Sequence, residues 1–353
     1  MADPTILVTG FPGFLAGRLV PRMAQRGRVI ALVEPRMLDR ARALAPDGVE
    51  IQAGDITDPR LGLDDTTYER LAGEITEVHH LAAVYDLAVG AELAERVNVQ
   101  GTQHVVELTR RAPRLERHHY ISTAYVAGLR SGLVLESELA EGQEFKNHYE
   151  ATKFAAEVIV RGAMDDVPTT IYRPAIVVGD SQTGETQKFD GPYYMLRTIQ
   201  ATRGPLPQIG REDAVFNVVP VDFVVDALCA CAGDAEAAGH TLHLVDPEPL
   251  SSAEVFATLA REFDGRTPSF RIPPGLLDRS LRYKRVRAFY GGTPRESVRY
   301  LNHPVRFDVT QAAEVLGRHG LRCPRFPEYV GPMVRFFREH ADDPAYRPAH
   351  EKA

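Results

Sequence analysis

The chain has 353 residues, of which 44% are hydrophobic and 25% charged, and its formal net charge is −7. A chain of this length can form one large α/β domain with a smaller lobe and a substantial core. The mildly acidic charge argues against a general binder of nucleic acids or anionic membranes. The longest apolar runs are well below the ~20 residues of a transmembrane helix, so we expect no transmembrane segment.

The N-terminal sequence MADPTILVTG leads directly into a strand pattern and lacks the charged and apolar segments of a secretory signal. The three cysteines, Cys229, Cys231 and Cys323, form an odd and sparse set. Such a set fits reduced thiols better than a disulfide framework. We therefore expect a cytoplasmic protein.

The first half of the chain alternates short β-branched runs with helical patterns. This alternation is typical of a parallel sheet covered by helices on both faces. The predicted strands are Thr5–Thr9, Val29–Val33, Val49–Ala53, Val78–Leu81, His119–Ser122 and Thr169–Tyr172, and the predicted helices include Gly17–Arg26, Val97–Arg111 and Tyr149–Gly162.

The pattern changes after Arg173-Pro174. Residues 179–192 form a polar segment rich in turn formers, and an apolar, aromatic helix start follows it. The stretch FNVVPVDFVVDALCACA is typical of a strand end followed by a core helix, and His240–Leu244 is another predicted strand. From about residue 246 the chain is rich in proline and arginine, which indicates a smaller lobe that ends in a helix from Glu328 to about His340.

A glycine-containing loop, TGFPGFLAGRLV, follows the first predicted strand. Gly10 and Gly13 allow a tight turn in which main-chain N–H groups at a helix N-terminus can meet a pyrophosphate. Ala16 takes the third small position, and the next strand completes the βαβ context that the motif requires. The pattern predicts a dinucleotide-binding loop formed by Thr9, Gly10, Phe11, Pro12, Gly13, Phe14 and Leu15.

The acidic residue at the end of the second strand bears on cofactor choice. Glu34 can accept hydrogen bonds from ribose hydroxyls and would repel a 2′-phosphate, which favours NAD(H). Arg36 and Arg40 follow closely and could instead hold that phosphate, so NADP(H) stays open. Asp55, with Ile56 beside it, is placed to meet the adenine; a plain turn-forming aspartate is the alternative.

The segment YEATK places Tyr149 and Lys153 four residues apart in a chain with five lysines against 36 arginines. On a helix the two side chains share one face. An adjacent ammonium, helped by a cationic nicotinamide ring, is expected to lower the phenol pKa from about 10 toward neutrality. Lysine can also hold ribose hydroxyls. The strand end YISTAYVAG should supply a third group, Thr123 or Ser122, to hydrogen-bond a substrate oxygen.

The chain resembles the extended short-chain dehydrogenases/reductases over about residues 5 to 245. The matching motifs, in family order, are TGFPGFLA, GDI, HLAA, NVQGT, STAYVAG, YEATK, YRPAIVVGD and NVVPVDFVVDA. The resemblance implies that Tyr149 is the acid/base, that Lys153 lowers its pKa and binds ribose, and that Thr123 is catalytic with Ser122 beside it. It further implies cofactor contacts from Leu81, Ala82, Ala83, Asn98, Pro174, Ala175 and Ile176.

Two departures from the family pattern matter. Ala16 replaces the usual third glycine, and Glu34 stands where NADP-using relatives often carry a basic residue. Within the family, the HLAA, NVQGT, STAYVAG and VVPVDFVVDA motifs are most similar to those of thioester reductases and fatty acyl-CoA reductases, and we expect a free-standing member of that branch.

The expected fold is therefore α/β: a Rossmann-type doubly wound parallel sheet with a smaller C-terminal substrate-binding lobe. We assign residues 1–185 and 216–245 to the NAD(P)-binding domain, and residues 186–215 and 246–353 to the lobe. A homodimer is a further expectation.

The segment KFDGPYYMLRTI is aromatic and apolar, which predicts a substrate with a large hydrophobic part if these side chains line the cleft. Burial of the same side chains in the core of the lobe is the alternative. Lys188 could meet a phosphate or carboxylate, or be solvated. The predicted substrate contacts are Tyr85, Ala124, Tyr125, Lys188, Phe189, Tyr193 and Tyr194.

The predicted function is NAD(P)-dependent hydride transfer to or from a carbonyl, alcohol or acyl thioester of a lipid-like or secondary-metabolite substrate. An NAD-dependent nucleotide-sugar epimerase or dehydratase, which uses the same tyrosine and lysine chemistry, is the main alternative. A non-catalytic dinucleotide sensor is the third class.

Two histidine pairs, His79-His80 and His118-His119, invite comparison with metal sites. Adjacent residues on a strand point to opposite faces, so one ion cannot easily bind both members of a pair. Two cysteines separated by one residue are also poor zinc ligands. We expect no metal site.

Overall fold

The structure is a computed structural model that describes residues 3–85, 89–271 and 300–347. Its strands in chain order are β1 (Thr5–Thr9), β2 (Arg28–Val33), β3 (Glu50–Ala53), β4 (Glu77–His80), β5 (Arg117–Ile121), β6 (Gly132–Val134), β7 (Thr169–Pro174), β8 (Ile176–Val178), β9 (Pro207–Gln208), β10 (Val218–Pro220), β11 (Thr241–Leu244), β12 (Phe270–Arg271) and β13 (Val305–Phe307).

Seven of these strands form one parallel sheet in the order β11-β7-β5-β4-β1-β2-β3. The remaining strands form three short parallel pairs, β10 with β8, β12 with β9 and β13 with β6. In β1, Ile6 and Val8 pack into one hydrophobic cluster and Leu7 into another. Successive residues thus bury on opposite faces, as an apolar strand inside a doubly covered sheet should.

The helices in chain order are α1 (Phe14–Met23), α2 (Leu38–Leu44), α3 (Asp65–Glu74), α4 (Ala91–Ala94), α5 (Gly101–Arg111), α6 (His148–Arg161), α7 (Tyr193–Ala201), α8 (Val221–Ala232), α9 (Ser252–Asp264), α10 (Thr310–Gly317) and α11 (Phe326–His340). A π-helical segment, Glu95–Gln100, joins α4 to α5. Short 3₁₀ turns cover Pro35–Met37, Pro59–Gly62, Ala124–Ala127, Ala235–Ala237 and Pro344–Tyr346.

Each strand and helix that the sequence predicted has a counterpart here, with boundaries shifted by up to four residues. Helix α1 begins at Phe14 and not at Gly17, because Gly13 is already its extended N-cap residue. The glycine loop therefore ends directly in a helix N-terminus. In β5 the strand ends at Ile121, so that Ser122 and Thr123 lie just beyond it.

Helices α7, α9 and α11 pack against one another as the core of the predicted lobe. Their buried side chains, such as Tyr193, Phe256 and Phe337, belong to the same cluster as the residues under α1 and α8. Residues 272–299 and 348–353 of the predicted lobe lie outside the described residues. The division into two domains stays a prediction.

The parallel direction of the sheet brings the C-terminal ends of β1, β2, β4, β5 and β7 to one edge, where ligands of such sheets usually bind. Within the described ranges, no helix has the length and apolar character needed to cross a membrane.

Candidate active site

A cavity of about 670 Å³ opens along this edge of the sheet, a volume typical of small-molecule sites. All but one of the cofactor contacts predicted from the sequence line it. These are Thr9, Gly10, Phe11, Pro12, Gly13, Phe14, Leu15, Glu34, Arg36, Asp55, Ile56, Leu81, Ala82, Ala83, Tyr149, Lys153, Pro174, Ala175 and Ile176.

Asn98 is the exception, and its prediction as a cofactor contact is wrong. Its side-chain oxygen accepts from the Val84 N–H at 2.8 Å, and its amide donates to the Val84 carbonyl at 3.3 Å and to Thr152 at 3.0 Å. Asn98 is buried behind the cavity wall. It holds the segment after β4 against α6.

The glycine loop leaves room for close approach of a ligand to the backbone. Gly10 has a φ of +88°, and a Cβ there would lie 2.8 Å from the Ala82 nitrogen. A Cβ on Gly13 would lie 2.7 Å from the Gly10 carbonyl oxygen. Only glycine fits both positions. Because α1 begins one residue later, its free N–H groups face the cavity edge, an arrangement that fits a pyrophosphate.

Glu34 and Arg36 both line the cavity and pair with each other, with 2.6 Å between Arg36 Nε and Glu34 Oε1. The Arg36 side chain is 76% exposed and that of Glu34 is 38% exposed. Arg40, which the sequence offered as a second ligand for a 2′-phosphate, is exposed on α2 and does not line the cavity.

Tyr149 and Lys153 lie on the cavity side of α6, which begins after the N-cap Asn147. Tyr149 is partly exposed to the cavity, whereas Lys153 is 3% exposed. Desolvation raises the pKa of the Tyr149 phenol above its ordinary value, and a hydrogen bond with Thr123 opposes that shift only in part. The expectation that the adjacent ammonium and a cationic nicotinamide ring together lower this pKa stays a prediction.

Lys153 is itself desolvated and turned toward β5. Its Nζ donates to the Tyr120 hydroxyl at 2.9 Å and to the Ile121 carbonyl at 2.6 Å. Burial lowers the pKa of Lys153 to about 7, and Glu157 opposes this shift. Lys153 therefore carries only part of its charge near neutrality.

The structure distinguishes the two hydroxyls that the sequence left open. Ser122 borders the cavity, but its Oγ donates to Glu157 Oε2 at 2.6 Å. Glu157 is fully buried and pairs with Arg173 at 2.6 Å, so that the Ser122 hydroxyl belongs to this internal ion pair. Thr123 also borders the cavity, and its Oγ1 donates only weakly to the Pro174 carbonyl, at 3.4 Å, while it accepts from the Tyr125 N–H at 3.3 Å. Its hydroxyl opposes the rise in the pKa of Tyr149, so the catalytic role predicted for Thr123 stays open.

Four of the seven predicted substrate contacts line the cavity: Tyr85, Tyr125, Lys188 and Tyr194. Lys188 pairs with Asp190 at 2.8 Å and lies 4.4 Å from the centre of the Tyr85 ring. Its charge is thus already partnered by a carboxylate. The Tyr85 ring in turn meets the Tyr149 ring edge-on, with 5.2 Å between centres.

The other three predicted contacts are wrong, because they are buried away from the cavity. Phe189 is fully buried between Tyr346 and Phe337. The Tyr193 hydroxyl accepts from the Gly179 N–H at 3.1 Å inside the core, and Ala124 is fully buried in the turn after β5.

Met195, in the aromatic and apolar segment singled out from the sequence, lines the cavity, and the lining residues that the sequence analysis did not name include Thr198, Ile209, Phe216, Tyr300 and Leu301. The helical spacing from Tyr194 to Thr198 on α7 could have indicated Thr198. Tyr300 had no such local signal. It packs edge-on against Tyr125 with 5.0 Å between ring centres and accepts from the Asn147 amide at 2.9 Å.

A buried group at the opposite end of the sheet joins Glu77 and His79 of β4 to His119 of β5, with potential ligand atoms within 4.8 Å of one another. The two imidazole rings are stacked with 4.2 Å between centres and 10° between planes. A metal lies in the plane of an imidazole ligand, so rings stacked in this way do not direct two lone pairs at one ion. Arg26 also pairs with Glu77 at 2.9 Å. The absence of a metal site stays a prediction.

Residues 8–228 match the model of an NAD-binding family described as male sterility protein. The chain belongs to this family. Among curated relatives, the carboxylic acid reductase of Mycobacterium marinum is 26% identical over 286 residues, which cover 69% of this chain and 24% of that protein. The isonitrile lipopeptide synthase of Mycobacterium tuberculosis is 28% identical over 294 residues, which cover 69% of this chain and 11% of that protein.

The chain thus spans a quarter or less of the length of these relatives. The solved terminal R domain of the myxalamid PKS-NRPS pathway matches with a TM-score of 0.81 and 25% identity, covering 98% of this chain and 93% of that chain. MoeE5 in complex with UDP-glucose and NAD shares the fold, with a TM-score of 0.65, 22% identity, and coverage of 96% of this chain and 100% of that chain.

Together with the family match, the likeness to the R domain confirms the resemblance to the thioester-reductase-like branch of extended short-chain dehydrogenases/reductases. It also confirms the predicted Rossmann-like sheet and the prediction of an NAD(P)-dependent oxidoreductase.

Proposed function

We propose that this family member reduces the carbonyl group of an acyl thioester, or of the corresponding aldehyde, on a hydrophobic substrate, with Tyr149 as proton donor. The observation that carries the proposal is that Thr123, Tyr149 and Lys153 share one cavity with the glycine loop and with an apolar wall. The R domain and the carboxylic acid reductase among the related proteins agree with this chemistry.

The residues around the glycine loop fit a nicotinamide dinucleotide. The N–H groups at the start of α1 would hold the pyrophosphate, Glu34 the adenosine ribose and Lys153 the nicotinamide ribose. When bound, the reduced cofactor supplies the hydride.

The chain's own residues handle the proton. Thr123 and Tyr149 stand together at the cavity wall, where both hydroxyls would hydrogen-bond the substrate oxygen. The raised pKa keeps the Tyr149 phenol protonated at neutral pH, which suits a group that donates a proton to an oxygen gaining negative charge. We assign reduction as the working direction because the R domain and the carboxylic acid reductase are among the related proteins.

The wall beyond Tyr149 favours an apolar substrate. Met195, Ile209, Phe216 and Leu301 face the same cavity as Tyr194 and Tyr300. Such side chains stabilise a hydrocarbon chain by removing it from water, at roughly 0.8 kcal/mol per methylene. The substrate class is therefore a medium or long acyl chain or a polyketide-like chain.

A series of straight-chain acyl thioesters from butyryl to palmitoyl tests this proposal. The value of kcat/KM should rise about fourfold per methylene and then level off when the cavity is full. Tyr194→Ala should flatten the rise while preserving turnover of the butyryl thioester, which serves as the internal control. A flat profile for the wild-type protein would contradict the hydrophobic assignment.

The cytoplasmic location and the homodimer stay predictions. The nucleotide-sugar epimerase or dehydratase stays the alternative, supported by likeness of fold alone.

A further inference from the structure

Lys153 is held by a tyrosine that the sequence analysis did not single out. Tyr120 is 1% exposed on β5, its hydroxyl lies 2.9 Å from Lys153 Nζ, and its ring centre lies 4.4 Å from the same atom. A second N–H of Lys153 is taken by the Ile121 carbonyl at 2.6 Å. An ammonium has three N–H donors, so among the described residues one remains for a ligand in the cavity.

A buried chain of hydrogen bonds that begins beside the glycine loop passes through His80, whose ring lies 5.7 Å from the Tyr120 ring between centres, and ends at the Asn98 carbonyl. Thr9 Oγ1 accepts from the N–H groups of Leu81 at 3.2 Å and Ala82 at 3.1 Å. With both lone pairs used, the Thr9 hydroxyl must donate its proton to His80 Nδ1, at 2.8 Å. Burial lowers the pKa of His80 well below its ordinary value, so the ring is neutral and carries its proton on Nε2.

The direction of each later bond follows from this one. His80 Nε2 donates to Thr102 Oγ1 at 3.1 Å, and Thr102 donates to the Asn98 carbonyl at 2.6 Å. At Tyr120 the direction follows from Lys153 itself, because an ammonium can only donate and the Tyr120 oxygen must accept from it, at 2.9 Å.

We propose that Tyr120 is a positioning residue for Lys153: its oxygen acts as an obligate acceptor that orients the ammonium toward the cofactor ribose and favours its charged form. This inference rests on the proposed role of Lys153 as a ribose ligand.

The ionisable groups facing Lys153 come from three elements. Tyr149 and Glu157 lie on its own helix α6, Tyr120 lies on β5 and His80 lies on β4. Glu157 raises the pKa of Lys153 while burial lowers it to about 7. An acceptor hydroxyl stabilises the charged ammonium, so its removal should lower the pKa of Lys153 further.

The test compares Tyr120→Phe with Tyr172→Phe. Both changes remove one hydroxyl from a buried tyrosine of the central sheet, but the Tyr172 hydroxyl bonds to His119 Nδ1 at 2.8 Å and not to Lys153. The affinity for NADH is measured by fluorescence titration between mildly acidic and alkaline pH. Tyr120→Phe should weaken NADH binding about tenfold at neutral pH and move its alkaline limb about one pH unit lower. Tyr172→Phe should leave both unchanged.

Superimposable binding profiles for Tyr120→Phe and the wild-type protein would overturn the inference. If Tyr120→Phe does not fold, as judged by circular dichroism, Tyr120→Met decides. That change also removes the hydroxyl that accepts from Lys153 and should shift the alkaline limb in the same direction, and an unshifted limb would overturn the inference. The binding test of Tyr120 needs no substrate, so its outcome is separate from that of the proposed function. Failure of the proposed function would instead appear as binding of NADH without turnover of any acyl thioester.

Discussion

Tyr149 and Lys153 respond to the same desolvated environment with opposite changes in pKa. Desolvation raises the pKa of the phenol and lowers that of the ammonium to about 7, because in each case it disfavours the charged form. At mildly acidic and neutral pH the phenol keeps its proton and the lysine keeps much of its charge. As the pH rises through about 7, Lys153 loses the charge that would bind the cofactor. The decrease in cofactor affinity as the pH rises above about 7 is therefore the measurement that depends on Lys153 directly.

Glu34 should control the choice between the two cofactors. Glu34→Ala removes a negative charge that would face a 2′-phosphate and frees Arg36 from its ion pair. The ratio of kcat/KM with NADPH to kcat/KM with NADH should rise roughly fivefold, the scale of a partly exposed charge pair. Asp39→Ala, which removes an exposed carboxylate of α2 outside the cavity, is the matched control. A wild-type preference for NADPH would mean that Arg36 dominates over Glu34.

Among the elements, the loop from β1 to α1 was the part best predicted from sequence. Its glycines are required by local geometry, since Gly10 has a positive φ and both added Cβ atoms would meet backbone. The Tyr149 and Lys153 pair was equally predictable, because helical spacing alone puts both on one face of α6. Such local constraints can be read from neighbouring residues.

Gly10→Ala should disable this loop, and Gly17→Ala is its matched control. A Cβ at position 10 would lie 2.8 Å from the Ala82 nitrogen at a φ of +88°, so we expect a loss on the order of 1–3 kcal/mol in the free energy of unfolding. NADH affinity should fall at least about tenfold, because the backbone at the pyrophosphate must move.

Gly17 lies inside α1, and a Cβ there would meet its nearest atom only at 3.9 Å. Gly17→Ala should therefore raise the free energy of unfolding by roughly 0.5–1 kcal/mol without affecting NADH binding. Urea unfolding and fluorescence titration measure both quantities. Binding of NADH by Gly10→Ala with the wild-type affinity would contradict the assignment of the loop.

On the scale of the whole molecule, the substrate side of the cavity depends on contacts between distant segments. Phe189 was predicted to face the substrate, but Tyr346 and Phe337 of the C-terminal region enclose it. Tyr300 reaches the cavity from a part of the chain more than a hundred residues after α6. The sequence around an aromatic residue is the same whether its side chain packs against a substrate or against a distant helix. The sequence therefore did not distinguish a substrate contact from a core residue.

The central claim is that this cavity transfers hydride from an exchangeable cofactor to an acyl carbonyl, with Tyr149 as the proton donor. The most direct measurement is the transfer of deuterium from NADH or NADPH labelled at C4 of the nicotinamide to decanoyl thioester, followed by mass spectrometry of the product. The wild-type protein should release the free thiol and give either singly labelled aldehyde with one equivalent of oxidised cofactor or doubly labelled alcohol with two equivalents.

Tyr149→Phe should lower this transfer at least about a hundredfold with little change in NADH affinity, while Tyr172→Phe should match the wild-type protein. Transfer by Tyr149→Phe at more than about a tenth of the wild-type rate would contradict the proton-donor role. Unlabelled product, together with tightly retained NAD and conversion of a nucleotide sugar, would contradict the reductase assignment and establish the isomerase alternative.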